Sequence, residues 1–313
     1  MMTNAIEIHG LAKEYRKRGG RTSAVDALDL IVPTGGVFGF CGPNGSGKTT
    51  TIRCLLGLVR PTRGSLRLLG SAVPDGLAET IRRVGAIVET PALFPTMTGR
   101  RNLELLGAID RIGPKRVGEV LDVVGLADRA DELVKGYSLG MRQRLGLGSA
   151  LLKDPELIIL DEPANGLDPA GIAQVRSLLR RLGDEGRTVF VSSHLLSEVE
   201  ATCDRVAILN KGALVSSGTV AEVLGGDAEL FVKVADLDAG VSVLNGAALG
   251  ATRVDDHLRV AAGIDADQVS RTLGRAGLWV SELRPIQRSL EERFFELTAD
   301  LPAIDALTEE AAS

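Results

Sequence analysis

The octamer Gly42-Pro43-Asn44-Gly45-Ser46-Gly47-Lys48-Thr49 carries the residue types that a bound polyphosphate requires. It lies between an apolar run, Val37 to Cys41, and a segment from Thr50 to Leu58 that reads as helix. This is G-x-x-x-x-G-K-[ST] in its strand, loop and helix context. Glycines let the backbone turn tightly and bring N–H groups against phosphate oxygens. A helix that starts there aims its positive end at the same oxygens. Lys48 can reach the terminal phosphates, and the Thr49 hydroxyl can ligate Mg²⁺. Gly42 to Thr50 are therefore candidate nucleotide-binding residues.

A second constellation is Leu157-Ile158-Ile159-Leu160-Asp161-Glu162, an apolar strand ending in two acids. Strand ends of a parallel sheet are where ligands bind. Asp161 can hold Mg²⁺ through water, and Glu162 can take a proton from an attacking water. The alternative, a helix-capping pair, leaves two adjacent charges without a neutralising cation. Shortly before this strand, Ser138 is a good N-cap, and Gly140 lets a phosphate approach the first helical turn.

The elements that position these residues alternate from residue 5 to 224. Leu157 to Leu160 and Val189 to Val191 are continuous apolar runs, expected of strands covered on both faces. Ala173 to Gly183 places Val175, Leu178, Leu179 and Leu182 at helical spacing, and Gly183 to Gly186 stops it. Strand and helix in alternation predict a largely parallel core sheet. Strand signals vanish between about 91 and 152, where Thr98 to Ile109, Lys115 to Val124 and Ser138 to Leu152 read as a helical subdomain. Val206 to Leu209 and Ala213 to Val215 flank Asn210-Lys211-Gly212 as a hairpin. A small α/β domain is expected over 225–300. It has strands at Glu229–Val234, His257–Ala261 and Leu278–Leu283. Its helices open on Asp265 with Gln268 and on Ser289 with Glu292. Residues 301–313 form an Ala/Glu/Asp-rich tail, expected to be mobile unless a partner orders it.

Composition narrows the function classes. The chain has 313 residues, a net charge of −5 and 3% aromatic residues. That combination supplies neither a basic field nor a stacking surface for nucleic acid. The basic cluster Lys13, Arg16, Lys17, Arg18 and Arg21 reads as a solvated hairpin near the nucleotide. No run approaches the roughly 18–20 apolar residues of a membrane span, and no secretory signal opens the chain. Cys41, Cys54 and Cys203 read as reduced, buried thiols. A redox switch at Cys41, beside the phosphate loop, is the alternative.

Together, the phosphate loop, the Ser-x-Gly helix start, the strand ending Asp-Glu, Gly166-Leu167-Asp168 and Ser192-Ser193-His194 resemble the ATP-binding-cassette (ABC) ATPases over about residues 5–220. The resemblance implies a P-loop NTPase cassette with a mostly parallel core sheet, an antiparallel β portion and a helical subdomain. It further implies ATP and Mg²⁺ as ligands and a head-to-tail dimer. Tyr15 is similar to the aromatic that stacks on adenine. Ser138 and Gly140 are similar to the signature that completes the opposite subunit's site. Asp168 is similar to the acid linking the two sites, and His194 to the histidine on the γ-phosphate. Two residues depart from the pattern. Glu89 stands where Gln is usual; it can still ligate Mg²⁺ but adds negative charge. Leu139 replaces the first glycine of the usual Leu-Ser-Gly-Gly-Gln, and Met141-Arg142 departs from its ending.

Such cassettes serve transporters, ribosome-associated ATPases or DNA-repair ATPases. Translation types usually carry two cassettes in one chain, and repair types insert long coiled coils. This chain has one cassette and no sustained heptads between Gly42 and Asp161. The expectation is a transporter engine on the cytoplasmic face of the membrane, held there by a separate permease. The ending Arg284-Pro285 and Ser289 to Phe295 resembles drug- and antibiotic-exporter ATPases. That points to efflux of a hydrophobic drug, antibiotic or lipid. Leu93, Phe94 and Met97, between Pro91 and Asn102, read as a docking tip for a permease helix. Phe94 as a plug of the subdomain core is the alternative.

Overall fold

The computed structural model describes residues 4–17, 20–89, 91–225, 228–286 and 289–299. Arg18, Gly226, Asp227 and the tail named above lie outside them. The described residues divide into two compact units, one of residues 4–220 with 297–299 and one of 221–296.

The first unit opens with β1 (Asn4–Lys17) and β2 (Gly20–Pro33), a long antiparallel hairpin that carries Lys13, Arg16 and Arg21. Then follow β3 (Gly36–Cys41), α1 (Lys48–Leu55), β4 (Arg63–Leu68), β5 (Ser71–Val73), the one-turn α2 (Leu77–Thr80) and β6 (Val84–Ile87). The helical stretch is α3 (Gly99–Ile109), α4 (Pro114–Val123) and α5 (Leu139–Leu151). β7 (Leu157–Leu160), α6 (Pro169–Asp184), β8 (Thr188–Ser193), α7 (Leu196–Thr202), β9 (Arg205–Asn210) and β10 (Ala213–Thr219) complete it, and α8 (Val220–Leu224) follows.

One sheet has the order β10-β9-β3-β8-β7-β6, parallel except for the β9/β10 edge hairpin. A second, antiparallel sheet has the order β2-β1-β4-β5. α1 lies between them: Ile52, Cys54 and Leu55 share one buried cluster with Ile6, Leu28 and Leu66 of one sheet and Phe40, Ile159 and Phe190 of the other. Phe38 of β3 stacks on Phe190 of β8 at a ring-centroid distance of 5.9 Å, and Phe40 packs against the same ring, tilted by 37°, at 5.0 Å. This packing immobilises the base of the phosphate loop, because β3 leads into it and α1 leads out. α1 begins two residues earlier than its apolar pattern predicts and ends at Leu55; Gly57, at φ +69°, turns the chain away.

In the second unit come β11 (Leu230–Val234), α9 (Leu237–Gly246), β12 (Ala251–Val254), β13 (His257–Val260), α10 (Ala266–Arg275), β14 (Val280–Pro285) and α11 (Leu290–Ala299) as far as Glu296. Its antiparallel sheet runs β12-β13-β11-β14. Leu230, Val232 and Val234 share a buried core with Leu244 of α9 and Val269 and Leu273 of α10. Phe231, from the other side of β11, stacks on His257 at 4.3 Å with the Arg284 guanidinium 4.2 Å from its ring centroid. The strand expected at Leu278–Leu283 is displaced towards Pro285, which an edge strand tolerates because its outer N–H positions need no partner. Trp279 just before β14 is 80% exposed. Ser289 and Glu292 form a reciprocal capping box: each side chain bonds the other's backbone N–H, at 3.1 and 2.9 Å.

Candidate active site

The phosphate loop is shaped by what a side chain would strike. At Gly42, φ +154°, a Cβ would sit 2.2 Å from the Leu209 carbonyl oxygen; at Gly47, φ +102°, it would sit 2.5 Å from that of Ala24. The Ser46 amide donates to Pro43 O, and the Gly212 amide donates to Ser46 O, tying the loop to the β9/β10 turn. Pro43, Asn44 and Gly45 form its exposed rim, while Thr49 and Thr50 are half-buried in the first turn of α1. Lys48 is buried, and its Nζ donates to Gly42 O at 2.6 Å and Pro43 O at 3.3 Å. The Ser46 hydroxyl is buried and has no protein partner. An orphan donor, a buried ammonium and a cradle closed to Cβ atoms fit a polyphosphate.

The two acids converge on this loop. β7 is buried throughout, and Asp161 at its end is 3% exposed. The Glu162 carboxylate stands between two cationic or polar partners. Its Oε1 is 3.4 Å from Lys48 Nζ, and its Oε2 is 2.8 Å from His194 Nδ1 and accepts from the His194 amide at 3.3 Å. Thr49, Glu89, Asp161, Glu162 and Asn165 line one cleft of about 540 Å³, which continues along Leu139, Arg142 and Gln143 of α5. A hydroxyl and a carboxylate are hard oxygen donors that suit Mg²⁺, an ion that keeps several waters and takes substrate phosphates as ligands. Among the described residues no cluster of three His, Cys, Asp or Glu side chains forms a protein-only cage.

Glu89 has φ +63°, and its carboxylate meets the Arg53 guanidinium of α1. Arg53 thus compensates the charge that departs from the usual amide. Sequence reasoning missed it; the signal was a lone arginine one turn beyond Thr49.

The remaining expected residues stand apart from the Lys48–Glu162–His194 cluster. Tyr15 lies on β1 with Lys13 Nζ 5.0 Å from its ring centroid. Ser138 caps α5, its hydroxyl accepting from the Met141 amide at 3.2 Å. Asp168 caps α6 through the Gly171 amide at 2.9 Å. The starts of these two helices are neighbours: a Cβ at Gly166 would lie 3.3 Å from Leu139, and one at Gly140 3.9 Å from Leu167. Ser138, Leu139 and Asp168 are exposed, so this surface is open to a partner.

Burial pushes the Cys41 thiol up to about 12, and its Sγ lies 3.5 Å from Ala207 O. A thiol held protonated is a poor nucleophile, which disfavours a redox switch there. Phe94 is 47% exposed, while its backbone is clamped by buried Asn102: Oδ1 accepts from Phe94 N at 2.7 Å and Nδ2 donates to Phe94 O at 3.1 Å. The backbone of the tip is held at both polar groups, and Phe94 is about half exposed.

A family model described as "ABC transporter" matches residues 25–165. An uncharacterised ABC transporter ATP-binding protein of Bacillus subtilis (strain 168), YhcH, is 40% identical over 96% of this chain and 97% of its own length. The bacitracin transport ATP-binding protein BcrA of Enterococcus faecalis is 35% identical over 95% and 97%. The daunorubicin/doxorubicin resistance ATP-binding protein DrrA of Streptomyces peucetius is 38% identical over 99% and 97%. Among solved structures, a dimeric ATP-binding cassette bound to ADP and Pi superposes with a TM-score of 0.63 at 24% identity, over 69% of this chain and 98% of that one. The cbiO1 subunit of the cbiONQ transporter complex of Clostridium perfringens gives 0.63 at 25% identity, over 71% and 90%.

Proposed function

The chain belongs to the family of ABC transporter ATP-binding proteins, and on that premise we propose that Lys48, Asp161, Glu162 and His194 form the ATPase centre of a drug or antibiotic exporter. ATP hydrolysis by the subunit drives transport through a membrane permease. No helix among the described residues is long and apolar enough to cross a membrane. Docking on the cytoplasmic side of the permease would place the subunit there.

The observation that carries this reading is the Glu162 carboxylate poised between Lys48 and His194, beside Asp161. Gly42 to Thr50 bind the phosphates, with Lys48 leaving the loop carbonyls for the terminal ones. Glu162 takes the proton of the attacking water, and His194 orients Glu162 while facing the γ-phosphate. Thr49, Glu89 and Asp161 would hold Mg²⁺, which when bound would neutralise phosphate charge. Tyr15 stacks on the adenine. Two copies pair head to tail, so that Ser138, Gly140 and Asp168 of one complete the site of the other. Phe94 docks a cytoplasmic helix of the permease. By likeness to relatives named for bacitracin and daunorubicin, the cargo is a hydrophobic drug, antibiotic or lipid.

Glu162→Gln tests the centre. It should keep ATP binding while hydrolysis falls about 10²–10⁴-fold, and ATP-bound dimers should accumulate. Lys48→Ala should weaken nucleotide binding itself. Undiminished turnover in Glu162→Gln removes it from the role of base.

A further inference from the structure

Adjacent residues of a strand point to opposite faces. Asp161 and Glu162 nevertheless line the same cleft. The chain achieves this by leaving the extended conformation at Glu162, whose φ is +48°. A left-handed backbone at a residue other than glycine persists only where its surroundings over-determine it.

One side chain does so. Ser192, on β8, is fully buried, and its Oγ accepts from the Glu162 amide at 2.9 Å. An amide can only donate, so the single hydroxyl proton is free for a second partner. That partner is Asp161, whose Oδ1 lies 2.5 Å away. The hydroxyl is satisfied on both sides, and Oδ2 of Asp161 is left unengaged by it. Just past the end of β8, His194 holds the other end of Glu162. The end of β8 and the residue after it thus grip Glu162 by its backbone and its carboxylate, and Asp161 by one oxygen. Thr188 to Val191, the preceding residues, are buried as well. A serine hydroxyl in that setting is costly unless it is hydrogen-bonded.

We propose that Ser192 is a positioning residue for ATP hydrolysis. Its hydroxyl locks the metal-holding carboxylate and the base into one register. The proposal rests on the roles given above to Asp161 and Glu162.

The test uses the full chain with Ser192→Ala, Ser192→Thr and, in parallel, Glu162→Gln. Four quantities are read for each: turnover, the Mg²⁺ concentration for half-maximal rate, affinity for a fluorescent ATP analogue in EDTA, and melting temperature. Loss of an outer-shell partner costs about 10–100-fold, so turnover of Ser192→Ala should fall by that factor. Its Mg²⁺ requirement should rise, while analogue binding in EDTA stays at the wild-type level. Threonine keeps the hydroxyl and suits a strand, so Ser192→Thr should recover most of the turnover. Wild-type turnover and Mg²⁺ requirement in Ser192→Ala, with Glu162→Gln inactive, would overturn the proposal and leave the site reading intact. Equal losses in the alanine and threonine variants would also overturn it, because the hydroxyl would then not be the cause. Undiminished turnover by Glu162→Gln would overturn the assignment of the base, and this proposal with it.

Discussion

Truncating Phe94 distinguishes a docking tip from a core plug by magnitude. Full burial of a Phe side chain contributes about 1.5–3 kcal/mol. With Phe94 47% exposed, Phe94→Ala forfeits roughly half of that, about 1 kcal/mol. The clamp from Asn102 is unaffected, because it binds the backbone and not the ring. Phe40 is the comparator: it is fully buried against Phe190, and a core Phe→Ala change costs about 3–5 kcal/mol. One kcal/mol moves the melting temperature of a large domain by about 2–4 °C. Phe94→Ala should therefore melt close to wild type with unchanged basal ATPase, and Phe40→Ala far below. In vesicles carrying the cognate permease, Phe94→Ala should lose transport and permease-stimulated ATPase. A melting shift as large as that of Phe40→Ala, or a parallel loss of basal activity, would refute the reasoning. Unimpaired transport would place the docking surface elsewhere.

Mixing Glu162→Gln chains with Ser138→Arg chains tests site sharing: heterodimers carry both lesions in one composite site and leave the other whole, so about a quarter of all sites recover on random pairing of a two-fold dimer. Mixtures no better than either variant alone count against head-to-tail pairing. The Cys41 thiol supplies a pH prediction. Its folded value is raised from 9.0 to about 12, so the protonated native state loses nothing below pH 9 and is progressively destabilised above it, as thiolate forms in the unfolded chain alone. Near pH 8, about where an ordinary cysteine titrates, Cys41 should resist alkylation until denaturant unfolds the protein. Rapid labelling of folded protein would show the thiol to be accessible.

Much of the cassette is readable along the chain because its signals are local. Leu157 to Leu160 is apolar at every position and buried at every position. Ser138 and Thr98 announce helices that they do cap. Glycines of the phosphate loop are legible because Gly42 and Gly47 each relieve a specific clash and Gly45 takes a φ of +81°. What sequence reasoning missed is decided across space. Ser192 acts on acids about thirty residues away, and Arg53 meets Glu89 across a similar interval. Neither residue type advertises its partner. α9 and β12 carry weak local signals: α9 holds Gly240 and Gly246 and buries only Gly240 and Leu244, and β12 buries only Ala251, so no alternation marks it.

The exposed Trp279 before β14 gives this protein an optical reporter. It is the single tryptophan of the sequence, and it belongs to the second unit. The phosphate loop, both acids and His194 belong to the first. Intrinsic indole emission therefore reports on the surroundings of one residue in the second unit. A change in emission on adding ATP would show that the nucleotide alters the surroundings of Trp279. Constant emission through binding and turnover would show that those surroundings stay the same during the ATPase cycle.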